Sequence, residues 1–245
     1  PMSMFSAVLK EHYARKRLED GKETKIIAIM PCTAKKYEAD RDDQRDADGN
    51  PLTDLVITTS ELASMIARAG IDFASLEEQA PDMPFGLFSG AGVIFGVTGG
   101  VTEAVLRRCS TDKSQEALKR IEFVGVRGRD AVKTCEFRVG ERTVRAAIVY
   151  GLREAGALID RLQRGEAQYD FVEVMACPEG CIAGGGQPCV RYKDREHRAR
   201  GLYHVDRRMQ IKSSEQNPAV EQVYKYLVGE RAHELLHVPH TRDAE

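Results

Sequence analysis

The chain has 245 residues, 42% of them apolar and 30% charged, with a formal net charge of -2. This composition describes a soluble globular protein of one domain or two closely joined lobes. With no basic run it argues against a nucleic-acid binder. No apolar stretch is long enough to span a membrane, and no signal peptide opens the sequence.

Pro1 stands in place of an initiating Met, so the sequence reads as a processed chain or a fragment lacking its N-terminal part. Lys25–Met30 reads as a buried strand, and Leu55–Thr58 as a second. Leu62, Met65, Ile66 and Ala69 share a helical face, with Ser60 as the cap and Gly70 as the stop. Val101–Cys109 is a predicted helix entered through Gly99 and Gly100. Thr134–Val139 and Thr143–Tyr150 form a predicted hairpin around Gly140 and Glu141. Leu152–Gln163 is an amphipathic helix, Asp170–Met175 a strand, and Val220–Val228 and Glu230–His237 are helical. The charged stretches Asp40–Asp48 and Tyr192–Arg200 read as solvated loops. The alternation predicts an α/β fold, a mostly parallel sheet with flanking helices, with sites at the strand C-termini. No internal repeat is present.

Six cysteines are too few for a disulfide scaffold and fit a reducing cytoplasm and metal ligation. Cys177 and Cys181 form a C-x3-C pair in EVMACPEGCIAGGGQP (173–188), directly after a strand and before three glycines. Thiolates can ligate iron, and glycines let backbone N–H groups approach cluster sulfides. Structural zinc pairs usually have two intervening residues and a second pair, which is absent here. The plain alternative is two ordinary loop cysteines. Cys32, in IAIMPCTAKKYEADR (27–41), also follows an apolar strand, although a lone Cys is often a small buried apolar residue. Cys109 and Cys135 read as structural, and Cys189 as a weaker ligand candidate.

Lys35, one short turn after Cys32, could donate to an anionic cluster ligand or remain a surface lysine. FSGAGVIFGVTGG (88–100) holds five glycines in thirteen residues. It lacks the Lys-Ser/Thr ending of a phosphate loop, so it suits backbone approach to a bulky cofactor. His233 and His237 are spaced for one helical face, but with no third ligand nearby they read as packing residues.

MPCTAKKYEADR, SGAGVIFGVTGGVTEAVLR and EVMACPEGCIAGGGQP closely resemble segments of the catalytic domain of iron-only (FeFe) hydrogenases. The resemblance continues through ERAHELLH (230–237), across essentially the whole chain. It implies a 1–245 unit forming the C-terminal portion of that catalytic domain, with the fold of that domain. The implied cofactor is the H-cluster: a 4Fe-4S cluster bridged to a di-iron unit carrying CO, cyanide and a dithiolate. Cys32, Cys177 and Cys181 match metal ligands, Cys181 being the bridging one. Lys35 matches the lysine that bonds a cyanide. Met30 and Met175 match methionines flanking the di-iron unit, and Phe95 and Gly96 match its apolar lining. Pro1 and Met2 fall where the family places a Pro and commonly a Gln beside the cluster. The implied reaction is reversible H2 oxidation to protons and electrons. Implied partners are H2 and protons, and ferredoxin or NAD(P)-linked electron-transfer domains or subunits. The implied location is the cytoplasm of an anaerobic microbe.

Three departures from the family pattern stand out. Glu179 occupies a position usually held by Gly, and Met2 one usually held by Gln. The first signature, a Thr-Ser-Cys-Cys-Pro segment with the fourth cubane ligand and a proton-relay thiol, is absent. The chain is therefore expected to be inactive alone and to need the missing N-terminal part of its domain. A sensory hydrogenase and a non-catalytic assembly-type iron–sulfur protein are the alternative readings. Retention of Met30, Lys35, Phe95 and Met175 together argues against the latter.

Overall fold

The computed structural model describes residues 1–80, 82, 88–110, 112, 126–127, 130–139, 141–188 and 192–238. The chain divides into two compact units. One comprises 1–85 with 219–245, and the other 86–218.

The first unit opens with a helix that the sequence reading did not anticipate: α1 (Met2–Val8), a wider π-helical stretch (Leu9–Ala14) and α2 (Arg15–Glu19). Strand β1 (Ile27–Met30) leads to α3 (Ala34–Asp40), and β2 (Leu55–Thr58) pairs with β1 in parallel, Ala28 opposite Val56. Asp54 fixes the strand entry, its carboxylate accepting the Ile26 N–H at 2.7 Å and pairing with Lys10 at 2.7 Å.

Strand β1 is not the fully buried strand expected. Successive side chains point to opposite faces, and only one face is packed: Ala28 and Val56 meet Met2, with Met30 and Ala39 against them. On the other face Ile27, Ile29 and Leu55 are half or more exposed. Helix α4 (Thr59–Arg68) is capped by Thr58, not Ser60. Thr58 and Glu61 form a reciprocal capping box, which Ser60, already inside the helix, cannot make. Gly70, at φ +69°, ends the helix as expected. The C-terminal part of the chain supplies α9 (Pro218–Gln222), a π turn (Val223–Val228) and α10 (Ala232–Leu236). Arg231 ties it to the first helix through Glu11 at 2.7 Å.

The second unit contains α5 (Gly90–Val93), α6 (Gly100–Cys109), β3 (Val132–Val139), β4 (Arg142–Tyr150), α7 (Leu152–Gln163), β5 (Phe171–Met175) and α8 (Tyr192–Arg208). β3 and β4 form the expected antiparallel hairpin, and β4 pairs in parallel with β5. The expected parallel pairing is thus divided between two small sheets. Ala146–Val149 on β4 are completely buried. One face packs on Leu106, Val126 and Cys135, the other on Ala155 and Leu158 of α7. A strand covered on both faces reads as a continuous apolar run rather than an alternation.

Tyr192–Arg200, expected as a solvated loop, belongs to helix α8. The helix is highly charged, but part of that charge is internal. Arg107 makes a bidentate pair with Asp206 (2.7 and 2.8 Å) and bonds Glu103 at 2.5 Å, all three being essentially inaccessible. Arg127 also bonds Glu103 (2.8 and 2.9 Å) and lies 4.2 Å from the centroid of the Tyr203 ring. The carboxylates keep the Arg107 guanidinium charged against the cost of its burial.

Candidate metal centre

In the first unit the cysteine segment starts where β1 ends at Met30. Cys32 is a free, half-buried thiol, and Lys35 sits in the first turn of α3. The start of α1 packs against this segment. Met2 is buried in the cluster that Met30 flanks. Pro1 accepts the Phe5 N–H at 3.0 Å, opening the helix. Ser3 donates to Glu38 at 2.7 Å, and Glu38 is ion-paired with Lys35. One unit therefore brings together Pro1, Met2, Met30, Cys32 and Lys35.

In the second unit Met175 closes β5 opposite Tyr150, and its carbonyl accepts the Gly151 N–H at 2.8 Å. The C-x3-C segment is a tight turn. Gly180 N–H donates to the Cys177 carbonyl at 3.1 Å, and a 3-10 turn over Cys181–Ala183 follows. The Cys177 and Cys181 thiols are half-buried. Glu179 and Gly180 both lie at positive φ, +63° and +93°.

The Gly-rich segment is the bed for this turn. Thr98 N–H donates to the Glu179 carbonyl at 3.2 Å. A Cβ on Gly180 would fall 2.8 Å from Thr98 N and 3.0 Å from the Gly96 carbonyl, so only glycine permits this approach. Gly96 is crowded in turn by Leu202, which a Cβ would meet at 2.7 Å. Ile94, Val97 and Ile182 are buried together beneath, whereas Phe95 is 36% exposed.

Glu173 locks the two segments together. It is buried, and its carboxylate accepts Gly99 N–H at 2.6 Å and both the N–H and hydroxyl of Thr102 at 2.7 Å. An acid on β5 thereby caps the N-terminus of α6, where the helix dipole favours negative charge. Nearby, the Lys133 ammonium donates to the Val126 carbonyl at 2.7 Å, and burial lowers its pKa.

Glu173, Glu103, Arg107 and Asp206 were not singled out in the sequence. The one available signal was a Glu inside an otherwise apolar strand. Cys135 is buried in β3, where burial pushes its thiol pKa up, and Cys109 is exposed at the end of α6. Cys189 lies outside the described residues. The His233 and His237 rings stack with centroids 4.9 Å apart.

The residues fit an iron–sulfur group chemically. Cys32 in the first unit and, separately, Cys177 and Cys181 in the second are partly accessible thiols, and the C-x3-C turn has the open glycine backbone such a group needs. The buried Thr98 hydroxyl, in the bed beneath the turn, has no partner among the described residues. Among those residues no three His, Cys, Asp or Glu side chains are already grouped to hold a metal ion. No helix among them is long and apolar enough to cross a membrane.

A family described as "Iron only hydrogenase large subunit, C-terminal domain" matches residues 1–185, and one described as "Iron hydrogenase small subunit" matches 192–243. The NADP-reducing hydrogenase subunit HndD of Solidesulfovibrio fructosivorans is 41% identical over 97% of this chain and 41% of its own length. The chain thus spans about two fifths of that relative. A solved variant of FeFe hydrogenase HydA1 from Chlamydomonas reinhardtii superposes with a TM-score of 0.73 at 34% identity, covering 97% of this chain and 68% of that one. More distantly, the cytosolic iron-sulfur assembly component 3 of Mus musculus is 28% identical over 97% of the chain and 52% of its own length.

Proposed function

The chain belongs to the iron-only hydrogenase family, and from that membership we propose that it serves reversible H2 oxidation and proton reduction at an H-cluster. The observation that carries the reading is the C-x3-C turn, held at positive φ and seated through Gly180 on the Gly-rich segment. Cys32, Cys177 and Cys181 are the thiolates proposed to hold the cluster. When bound, the group supplies heterolytic H2 cleavage and electron storage.

The chain's own residues supply placement and surroundings. Lys35 donates hydrogen bonds to an anionic cofactor ligand. Met30, Met175 and Phe95 give a soft apolar lining that suits a small gas and excludes water. Pro1, Met2 and Gly96 contact the cofactor. The 1–245 stretch is proposed as the C-terminal portion of the catalytic domain, with the fourth ligand coming from elsewhere in the protein. Electron transfer would run to a ferredoxin or NAD(P)-linked partner, in the cytoplasm.

The assembly-type reading draws on the 28% identical relative. The joint presence of Met30, Lys35, Phe95 and Met175 favours the hydrogenase. The test is H2-dependent reduction of a viologen dye by the full-length protein, matured anaerobically. Cys181→Ala is expected to abolish it, and Lys35→Ala to reduce it strongly. A protein with its iron and sulfide complete but no H2-dependent reduction would favour the assembly reading.

A further inference from the structure

Lys35 and Glu38 lie one turn apart on α3 and form an ion pair. Exposed pairs at this spacing are common and contribute little. Two features separate this one. Its side chains are only 27% and 28% exposed. The second oxygen of the carboxylate is also engaged, because Ser3 Oγ on α1 donates to Glu38 Oε1 at 2.7 Å. Each oxygen serves one donor, so the carboxylate cannot swing without giving one up. Burial acts to raise the Glu38 pKa, and the hydrogen bonds from Lys35 and Ser3 overcome it, leaving the group below its ordinary value.

A lysine ammonium has three N–H donors. Glu38 occupies one, and the others remain for a further acceptor three residues from Cys32. A free lysine loses much rotamer freedom when it binds, and tethering it beforehand reduces that loss.

We infer that Ser3 and Glu38 are positioning residues for Lys35, fixing its ammonium group before an anionic cofactor ligand arrives. The ligand's identity, a cyanide of the di-iron unit, rests on the hydrogenase reading. The tether itself is made by the chain's own residues.

Two measurements on the full-length protein separate these claims. The first is the acylation rate of Lys35 by an amine-reactive ester in the cofactor-free protein, read by peptide mass spectrometry. Lys36, paired with Glu61, is the internal reference. The Lys35 rate should rise about fivefold in Glu38→Gln and about twofold in Ser3→Ala, and return toward the parent value in Ser3→Thr. Unchanged Lys35 rates in both Glu38→Gln and Ser3→Ala overturn the inference. The second measurement is uptake of a synthetic cyanide-bearing di-iron complex by protein holding only its cubane. Uptake should be about tenfold weaker in Glu38→Gln, with shifted or broadened cyanide stretching bands. Parent-like uptake and bands in that variant also overturn it. If the parent protein itself takes up no complex, the hydrogenase reading fails, and the acylation rates still decide the tether.

Discussion

One oxygen of the Glu173 carboxylate holds Thr102 twice, accepting its backbone N–H and its hydroxyl at 2.7 Å each. The other oxygen accepts Gly99 N–H at 2.6 Å. A single buried side chain, four residues before Cys177, thereby pins the Gly-rich segment on which the cysteine turn rests.

Glu173→Gln keeps the shape but turns one acceptor into a donor facing an N–H group. The expected cost is about 2–3 kcal/mol, from a charged hydrogen bond lost and a buried donor left unpaired. Urea unfolding of the full-length protein measures it. Iron retention should fall as well, because the bed of the cysteine turn loosens. A loss below about 0.5 kcal/mol, the range of ordinary surface changes, would contradict this role.

Glu179 stands at φ +63°, a conformation that costs an L-residue roughly 1 kcal/mol and glycine almost nothing. Glu179→Gly should stabilise the protein by about 0.5–1 kcal/mol and leave Cys177 and Cys181 in place. A lower unfolding midpoint in that variant would mean that the Glu179 side chain makes contacts outweighing the strain.

The βα elements were legible because their signals are local. Gly99 and Gly100 before an apolar helix, the continuous Ala146–Val149 run and the C-x3-C turn after β5 all lie within short windows. The misreadings involved partners distant in sequence. Tyr192–Arg200 looked like a solvated loop since nothing local shows that Asp206 meets Arg107, 99 residues earlier. Glu173 finds Gly99 across 74 residues. The exposure of Ile27 and Ile29 could not be read from an apolar run, which looks the same whether one or both faces are covered. Residue types and spacing at the candidate site were legible locally, while the tether from Ser3 through Glu38 to Lys35 required the packing of α1 on α3.

Asp206→Asn leaves Arg107 inside the protein with part of its counter-charge removed. Removing one partner of a buried ion pair costs about 3–5 kcal/mol, and the sharing of Arg107 with Glu103 places the expectation near the lower end. Arg108→Ala, on the same helix but exposed, should change stability by less than about 0.5 kcal/mol. Equal effects from the two substitutions would remove the buried cluster from the account of this unit.

Asp54 supplies a pH signature. Burial acts to raise its pKa, but the Ile26 N–H and Lys10 outweigh it and hold the group below its ordinary 3.8. A carboxylate depressed in the folded state stabilises above its unfolded pKa, and that stabilisation is lost as the pH falls through the folded value. Asp54→Asn should therefore cost about 1–2 kcal/mol at pH 7, with the difference from the parent shrinking below pH 3.8. A difference that stays constant into acid would contradict the assignment.

The most direct test is the infrared spectrum of the anaerobically matured full-length protein in the cyanide and carbonyl stretching region, compared with Cys181→Ala. The expected result is a set of cyanide and carbonyl bands in the parent. Those bands should be absent from the variant, while its cubane signal persists in electron paramagnetic resonance. A parent with a complete cubane and no such bands would contradict the hydrogenase assignment and leave an iron–sulfur protein of the assembly type.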